Sequence, residues 1–532
     1  MIIRSPYPDI DIPDVGLPEF LFAELGTDDA DEQANRPAVL DTSHHGYTYG
    51  QLTAVIARVA AGLAERGLGR DDVAAVFAFN CPDYPAIFHG VLSAGAVCSP
   101  ANALYTPAEL AHQLRDSGAR VLFTAADCLD RARAAVAEEG VRVEEIIVLG
   151  PVPGTRGPVR ETGFDELLAG TSPAPKPVLS GDDLAALPYS SGTTGLPKGV
   201  MLTHRNLVAS VLQTQPLNLV GPDSRILAVL PLFHIYGITG LMNGTLHRRG
   251  RIVTMPRFDL PRFLAAVEEH RIDHLYIVPP IALGLLNFPQ LDEYDLSSVK
   301  VVMSAAAPLD RDLAQALAKR LDAVVVQGYG LTESSPTTHG IPVARPDVDR
   351  GSVGVLMPNL EARVVDPVTG QDTAAGGSGE LWCRGPNIMR GYLNNPRATA
   401  ATVDADGFLH TGDMVTVDAD GVFHVVDRLK ELIKYRGHQV APAELEALLL
   451  THDGIADAAV VGAHHEGEEV PKAFVVRRAT HPGLDAEEVQ AFVAAQVAPY
   501  KKVRLVEFLD QIPKSPAGKT LRKDLRQREP SR

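Results

Sequence analysis

The feature that most constrains the fold of this chain is an alternation of helix-like and strand-like segments before Gly351. Residues 49–66 have the apolar spacing of an amphipathic helix, and residues 73–79 form a short apolar run typical of a buried strand. The pattern continues with predicted helices at 105–116, 205–213, 260–270 and 310–321 and predicted strands at 121–124, 146–149, 275–278 and 324–326. Helices that alternate with buried strands predict parallel sheets covered by helices, which is an α/β fold.

The pattern changes twice towards the C-terminus. From Gly351 the segments become short and are separated by turn signals, which predicts an antiparallel β subdomain. After 427–430 comes a tail of about one small domain, with predicted strands at 458–461 and 473–476 and predicted helices at 444–450 and 486–496. We therefore expect a mixed α/β protein with a large N-terminal domain, residues 1–429, and a small mobile α+β lid, residues 430–532. The Gly-, Pro- and Ala-rich stretch 151–176 is expected to be a surface loop.

Composition excludes some classes of function. The chain has 66 acidic and 49 basic residues and a net charge of −17, which argues against general binding of nucleic acid or anionic membranes. Its four cysteines form no CxxC pair, so neither a zinc site nor a disulfide framework is indicated. No apolar run reaches the roughly 18 residues that span a bilayer. A cytoplasmic protein, either a monomer or a homodimer, is the expectation.

A Gly-, Ser- and Thr-rich segment at 189–199 reads YSSGTTGLPKG. A loop of this composition offers backbone N–H groups and hydroxyls to phosphate oxygens, and Lys198 adds positive charge. It is not a Walker A loop, because Pro197 precedes the lysine and Gly199 follows it. The segment indicates a phosphate site of another kind; a flexible linker is the alternative.

The segment 327–333, QGYGLTE, directly follows the predicted strand 324–326. Ligands of α/β sheets bind at the carboxyl ends of strands. Tyr329 could there stack on a base, Thr332 could bond a phosphate and Glu333 could hold Mg²⁺. Considered alone, a glycine turn with an exposed glutamate is the better interpretation.

Three further segments are informative only in combination. Asp413 ends TGD at 411–413, where a turn residue is the usual reading, although a carboxylate also suits ribose hydroxyls. The basic segment 430–439, KELIKYRGHQ, lies at the expected domain junction and could be a solvated hinge. The segment 513–519, PKSPAGK, belongs to a Lys-rich C-terminus of a usually inert kind. His234, in PLFHIY, is by itself typical of a packed core residue.

Together, in this order, these motifs resemble the adenylate-forming superfamily of acyl-CoA synthetases, adenylation domains and beetle luciferases. The resemblance runs over nearly the whole chain. The strings YSSGTTGLPKGVMLTHRN, PLFHIYG, QGYGLTESSP, VVDRLKELIKYRGHQVAPAELE and PKSPAGK are most similar to the 4-coumarate–CoA ligase subgroup.

The resemblance implies an ATP-dependent acid–CoA ligase with its active site between two domains that join at Lys430. The residues implied to contact ATP or CoA are Ser190, Ser191, Gly192, Thr193, Thr194, Lys198, Arg257, Ala306, Gln327, Gly328, Tyr329, Thr332, Asp413, Arg428, Lys430, Arg436 and Gly437. Thr194 and Glu333 are implied to hold Mg²⁺. The implied catalytic residues are Lys519, Lys434, Gln439, His234, Thr332 and Glu333.

Within this resemblance one active site performs two reactions by domain closure. Lys519 bridges the carboxylate and the α-phosphate while the acyl-adenylate forms and pyrophosphate leaves. The lid then rotates, Lys519 departs, and Lys434, Arg436, Gly437 and Gln439 shape the site where CoA forms the thioester. Arg257 and Arg436 would hold the CoA phosphate.

The acid pocket is where the chain departs from the plant ligases. Its implied wall consists of Ile235, Tyr236, Thr239, Tyr276, Met303, Ala305, Ala306, Gly328, Gly330, Pro336, Thr337 and Thr338. The plant enzymes often have Asn at the position of Thr239 and Lys at that of Met303, and Met303 cannot donate to a ring hydroxyl. A less polar pocket favours an unsubstituted aryl-propenoic acid or a medium-chain fatty acid.

Three other functions share the first step or the nucleotide site. One is adenylation followed by transfer to a carrier-protein thiol, and another is a luciferase-like monooxygenase. The third is an inactive nucleotide-binding protein, against which the joint presence of Lys198, Glu333, Lys434 and Lys519 speaks.

Overall fold

The fold consists of two large helix-covered sheets, a smaller antiparallel sheet and a C-terminal unit. The computed structural model describes residues 2–25, 30–152, 157–190, 197–435, 438–465, 468–497, 499–515 and 518–528. Within these ranges, no helix combines the length and apolar character needed to cross a membrane.

The strands, in chain order, are β1 (Ile3–Arg4), β2 (Pro37–Asp41), β3 (Gly46–Thr48), β4 (Val73–Phe77), β5 (Val97–Pro100), β6 (Val121–Ala125), β7 (Glu145–Leu149), β8 (Arg160–Gly163), β9 (Leu184–Ala186), β10 (Tyr189–Ser190), β11 (Lys198–Thr203), β12 (Arg225–Ala228), β13 (Arg251–Thr254), β14 (His274–Ile277), β15 (Val301–Ser304), β16 (Val324–Gly330), β17 (Thr337–Gly340), β18 (Val355–Leu356), β19 (Glu361–Val365), β20 (Gly379–Arg384), β21 (Gly391–Tyr392), β22 (Leu409–Val417), β23 (Phe423–Arg428), β24 (Ile433–Tyr435), β25 (His438–Val440), β26 (Ile455–His465), β27 (Glu468–Arg477) and β28 (Leu505–Phe508). The α-helices are α1 (Leu17–Phe22), α2 (Ala30–Ala34), α3 (Tyr49–Glu65), α4 (Asp83–Ser93), α5 (Pro107–Ser117), α6 (Leu129–Val136), α7 (Phe164–Leu168), α8 (His204–Gln213), α9 (Gly244–His247), α10 (Leu260–Glu269), α11 (Pro279–Asn287), α12 (Arg311–Leu321), α13 (Pro396–Thr402), α14 (Pro442–Leu450), α15 (Ala486–Ala494) and α16 (Arg522–Arg526). A π-helix, Tyr236–Asn243, precedes α9.

The first sheet has the strand order β10-β11-β9-β5-β4-β6-β7-β8, with β21 paired to β11. Its centre is parallel, as the alternation predicted. Local sequence fixes the helix ends: α5 begins after Thr106, whose hydroxyl accepts the Glu109 N–H, and stops at Gly118 with a left-handed φ of 67°. The strand predicted at 73–79 ends two residues earlier, at Phe77.

The second sheet has the order β18-β17-β16-β15-β14-β12-β13-β2-β3. Strands β2, β13, β12, β14, β15 and β16 run parallel, so their carboxyl ends meet at one edge. All four residues of β15 are buried, as expected for a strand with helices on both faces. The segments 278–280, 304–307 and 330–333 continue from this edge.

The region after Gly351 forms the predicted antiparallel sheet together with the N-terminal strand β1, in the order β1-β19-β20-β22-β23. Most of its buried apolar side chains, among them Phe423, belong to the same apolar core as the two large sheets. The antiparallel sheet therefore packs as part of the larger body.

The C-terminal unit has the predicted strands and helices, although β26 and β27 are longer than expected and pair as a hairpin. Its own core includes Ile433, Leu445, Val460 and Val489. A small apolar cluster of Met414, Leu432 and Ala441 connects this unit to the antiparallel sheet. The division at residue 430 stays a prediction.

The stretch 151–176 was expected to be a loop, and that expectation is wrong for part of its described length. Residues 160–163 form β8, which pairs with β7. Residues 164–168 form α7, which buries Phe164 and Leu167. Burial of these two side chains outweighs the loop-like composition around them.

Candidate active site

Three predicted nucleotide residues meet where the second sheet and the antiparallel sheet adjoin. Asp413 and Arg428 are paired across β22 and β23, and Arg428 Nε lies 3.1 Å from Asp413 Oδ1. The Tyr329 hydroxyl donates to Asp413 Oδ2 at 2.6 Å. Asp413 is only 3% exposed, so these two partners offset the cost of burying its charge. Burial, and then the adjacent Asp413 carboxylate, raise the pKa of Tyr329 well above its usual value.

Lys198 and Glu333, predicted from separate motifs, are brought together by Tyr392. Strand β21 pairs with β11, which places the ring of Tyr392 4.1 Å from Lys198 Nζ. The Tyr392 hydroxyl donates to Glu333 Oε1 at 2.8 Å. Glu333 Oε2 has no hydrogen-bond partner in the described part of the chain, which suits a cation ligand. The sequence did not indicate Tyr392, since a tyrosine after a glycine carries no signal of its own.

Part of the predicted nucleotide and CoA site falls on residues that the structure does not describe, or describes only in part. Ser190 ends β10, and its Oγ is buried without a partner among the residues described. The predictions for Ser191, Gly192, Thr193, Thr194, Arg436 and Gly437 fall outside the described residues. Lys434 lies in β24 and Gln439 in β25, with only their backbones described.

The C-terminal segment carries Lys519 into this site. Burial, and then the charge of Arg428, lower the pKa of Lys519 to about 8, while Asp413 and Glu431 act in the opposite direction. Burial, and then Lys519, lower the pKa of His234 to about 4. Lys519 therefore lies within electrostatic range of both His234 and the Asp413–Arg428 pair.

A backbone contact sets the position of Lys519. A Cβ added to Gly518 would lie 2.7 Å from Val278 Cγ2, and the φ of Gly518 is +74°. The loop is closed by hydrogen bonds from Gly518 N–H to Ser515 O at 2.8 Å and from Ser515 N–H to Lys519 O at 2.7 Å. A side chain at 518 would collide with Val278, which directly follows β14, and would strain the backbone.

Arg522 anchors the C-terminal segment next to the domain junction. Its guanidinium pairs with Glu446 at 2.6 Å and also with Glu431. Asp427 accepts the Ala443 N–H at 2.9 Å, and burial raises the pKa of Asp427 to about 6. Sequence motifs did not indicate these anchors, because their partners are distant in sequence.

The predicted acid pocket is lined by aromatic and sulfur-containing side chains. Tyr276 and Met303 are neighbours on β14 and β15. The rings of Tyr236 and Tyr276 meet edge to face at 6.1 Å, and the Tyr236 hydroxyl donates to Met303 O at 3.1 Å. Tyr236 is the first residue of the π-helix. π-Helices are rare in proteins, and those that occur are often found at functional sites.

Two glycines give the pocket its shape. A Cβ on Gly328 would lie 2.3 Å from Met303 Cε, and one on Gly330 would lie 1.7 Å from Pro336 O.

Two polar atoms stand out in this apolar surrounding. The hydroxyls of Thr239 and Ser304 are buried and have no hydrogen-bond partner within the described ranges.

The remaining predicted site residues differ in their burial and contacts. The pocket-wall residues Ile235, Pro336, Thr337 and Thr338 are buried, Ala305 is half-buried, and Ala306 is exposed with a left-handed φ of 72°. Thr332 is half-buried beside Glu333. The Gln327 amide is fully engaged with the backbone of Leu309 and Arg350, which suits a positioning role. Arg257 contacts Phe79 and Asp127, and Lys430 is exposed.

Sequence comparison identifies relatives over the whole chain. It is 43% identical over 539 residues to 4-coumarate–CoA ligase 3 of Oryza sativa subsp. japonica, covering 99% of this chain and 95% of that protein. It is 41% identical over 541 residues to 4-coumarate–CoA ligase 1 of Arabidopsis thaliana, covering 99% and 95%.

Structure comparison agrees with the sequence. ATP-bound MatB from Rhodopseudomonas palustris superimposes with a TM-score of 0.85 at 30% identity, over 97% of this chain and 99% of that one. A benzoate CoA ligase from Burkholderia xenovorans gives 0.86 at 27% identity, over 96% and 100%. Residues 27–393 match the AMP-binding enzyme family, and residues 444–519 match the AMP-binding enzyme C-terminal domain. The chain belongs to the AMP-binding enzyme family.

Proposed function

We propose that the protein is an ATP-dependent acid–CoA ligase, which forms an acyl-adenylate and then transfers the acyl group to the thiol of CoA. The observation that carries this proposal is that Lys519, which follows the close approach of Gly518 to Val278, lies within electrostatic range of His234 and the Asp413–Arg428 pair. The full-length similarity to 4-coumarate–CoA ligases supports the same activity.

In the first half-reaction a carboxylate oxygen bonds to the α-phosphorus of ATP while the bond to the bridging oxygen breaks and pyrophosphate leaves. Both reactants are anions, so the site must supply positive charge. Lys519, as an ammonium, donates to the carboxylate and to an α-phosphate oxygen. A preorganised donor of this kind stabilises the transition state by about 3–4 kcal/mol.

The proposed nucleotide contacts come from several separate segments. Asp413 accepts from the ribose hydroxyls, Tyr329 lies along the base, and Lys198 with residues 190–194 holds the phosphates. Glu333 fits a magnesium site, because Tyr392 holds Oε1 and Oε2 remains available to a hard cation. Mg²⁺ held there by Glu333 and Thr194 would neutralise phosphate charge.

In the second half-reaction the CoA sulfur attacks the acyl carbon, the thiol loses its proton, and AMP leaves. We propose that residues 430–532 turn as a unit about Lys430, which withdraws Lys519 and brings Lys434, Arg436, Gly437 and Gln439 to the site. The separate apolar core of this unit supports such a movement. Arg257 and Arg436 are the proposed contacts of the CoA phosphate.

The proposed acid is an unsubstituted aryl-propenoic acid or a medium-chain fatty acid. Tyr236, Tyr276 and Met303 give the pocket an apolar wall. Met303 has no proton to donate to a ring hydroxyl. The hydroxyl of Thr239 is buried without a described partner, and we propose it as the contact for such a substituent.

A pyrophosphate-release screen, run with and without CoA, tests the proposal. Cinnamate, 4-coumarate, octanoate and benzoate are the substrates, and we expect the highest kcat/KM for cinnamate or octanoate. A highest value for 4-coumarate would overturn the proposed acid but not the ligase activity. Pyrophosphate release with none of a broad set of acids would overturn adenylation, and thioester formation only on a phosphopantetheinyl carrier would overturn CoA as acceptor.

A further inference from the structure

Four arginines surround one cavity at the edge of the second sheet opposite the candidate active site. Arg225 and Arg251 begin the parallel strands β12 and β13 and are register partners. Arg36 precedes β2, and Arg249 precedes β13. The cavity has a volume of about 160 Å³, and Asp223 supplies the one carboxylate that lines it.

The cluster carries an excess of positive charge. Arg36 pairs with Asp223 at 2.9 Å, but the Asp223 side chain is 98% exposed. The Arg249 guanidinium donates to the carbonyls of Leu21 and Leu246, which are neutral. The guanidiniums of Arg225 and Arg251 have no acceptor in the described part of the chain. Four guanidiniums and one carboxylate leave three positive charges around the cavity.

Asp273 lies beside β12 but does not line the cavity. It accepts the backbone N–H of Arg225 at 2.8 Å and contacts the ring of His274 at 2.5 Å. Burial, and then the charges of Arg225 and Arg36, lower the pKa of Arg251. Like charges placed opposite each other on paired strands destabilise a sheet. In a chain whose net charge is −17, the overall composition does not explain four arginines around one cavity. The cluster therefore indicates a ligand.

We propose that this cavity is an anion site that binds a small phosphate-class ion, namely inorganic phosphate or pyrophosphate. Guanidinium groups match phosphate oxygens in a two-point geometry and keep their charge at all physiological pH values. The volume corresponds to about five water molecules of roughly 30 Å³ each. It holds one or two phosphate groups and leaves no enclosed space for a nucleoside. The site is separate from the proposed nucleotide site, since it lies at the amino ends of the strands.

Isothermal titration calorimetry and thermal unfolding of the full chain test the proposal, with phosphate and pyrophosphate in separate arms. Sodium chloride at equal ionic strength corrects for screening. We expect at least one of the two phosphate ions to bind measurably and to raise the Tm. The ion that binds more tightly is then identified as the ligand. In the Arg225→Gln/Arg251→Gln variant, affinity falls about tenfold or more. The same variant without anion is at least as stable as the wild type, because the repulsion is relieved.

Matched variants distinguish binding in this cavity from a general charge effect and from binding at the nucleotide site. Arg262→Gln removes one positive charge from an exposed position on α10 and leaves binding unchanged. Lys198→Ala weakens pyrophosphate binding at the proposed nucleotide site but keeps the anion binding that depends on Arg225. If the double variant is poorly folded, Arg251→Lys keeps the charge, loses the two-point geometry and binds more weakly. A Tm shift equal to that in chloride, or anion affinity retained in the arginine variants, would overturn the proposal.

Discussion

The two ends of the candidate active site are built on different principles. At the nucleotide end, Asp413, Tyr329 and Arg428 hold one another through short polar contacts. At the acid end, Tyr236, Tyr276 and Met303 form an apolar wall, and the hydroxyl of Thr239 has no partner in the described part of the chain.

The difference teaches what each end can tolerate. A buried network of charges fixes one arrangement, because leaving any member unpaired costs about 1–3 kcal/mol or more. An apolar wall adapts to a change of shape at lower cost. The nucleotide end should therefore lose function on small chemical changes, whereas the acid end should change its substrate preference.

The largest expected effect is that of Lys519→Ala. Loss of the ammonium should lower the rate of acid-dependent pyrophosphate exchange by about 10²–10³-fold, since a charge-stabilising donor is lost. Thioester formation from supplied acyl-adenylate should change far less. Lys523→Ala, at an exposed position in α16, is the control. Exchange near the wild-type rate would remove the role assigned to Lys519.

Next comes Asp413→Asn, which keeps the shape of the side chain and removes its charge. Arg428 loses its partner and the ribose loses a charged acceptor, so KM for ATP should rise about 10- to 100-fold, the equivalent of a charged hydrogen bond. KM for the acid should stay within about twofold of wild type. A parallel rise in both constants would show that the two ends are not independent; Tm measurements control for misfolding.

The pH dependence of adenylation should follow Lys519. With its pKa lowered to about 8, the lysine is protonated below that pH and loses its charge above it. The kcat/KM for adenylation should fall above pH 8, by about tenfold at pH 9. Lys519→Arg should move this fall to higher pH. His234, with a pKa of about 4, should contribute no change between pH 5 and 7, and a rise in kcat/KM across that interval would contradict its neutral state.

On the acid side, Gly328→Ala should narrow the pocket. The new methyl would meet the flexible end of Met303, so kcat/KM for an aryl acid should fall about tenfold. KM for ATP should be unaffected. Gly284→Ala in α11, where a Cβ has ordinary contacts, is the matched control. An equal loss for aryl and short aliphatic acids would argue against a role in shaping the pocket.

The smallest effect is expected for Thr239→Val. Valine has the shape of threonine and removes a buried hydroxyl without a described partner, so the free energy of unfolding should stay equal or rise. The ratio of kcat/KM for 4-coumarate to that for cinnamate should fall about threefold, consistent with one weak hydrogen bond. An unchanged ratio would mean that the hydroxyl does not face the ring substituent.

The sequence predicted the elements of the body well because their burial is local and periodic. Residues 310–321 read as an amphipathic helix, and α12 covers Arg311–Leu321. The five motif segments named Asp413, Glu333 and Lys519 as members of one site, and the roles of these residues stay predictions. The errors arose where tertiary pairing decides: β8 is a sheet-edge strand inside a Pro- and Gly-rich stretch, and composition carries no record of that pairing.

What the sequence could not give is the set of contacts between distant segments. Tyr392 is joined to Lys198 and Glu333 only by the pairing of β21 with β11. Arg522 is joined to Glu431 and Glu446 only by the fold of the C-terminal unit. Such connections depend on where strands lie in space, and a single chain read in order does not contain that information in periodicity or motif spacing.

The contact of Gly518 with Val278 has a consequence for the reversibility of the proposed lid movement. Hydrogen stands where a side chain would otherwise interlock with the body, so Gly518 itself adds little apolar area to this contact. A small apolar area forms and separates with little change in free energy. A lid that must separate from the body once in every catalytic cycle is best served by a weak contact at this point.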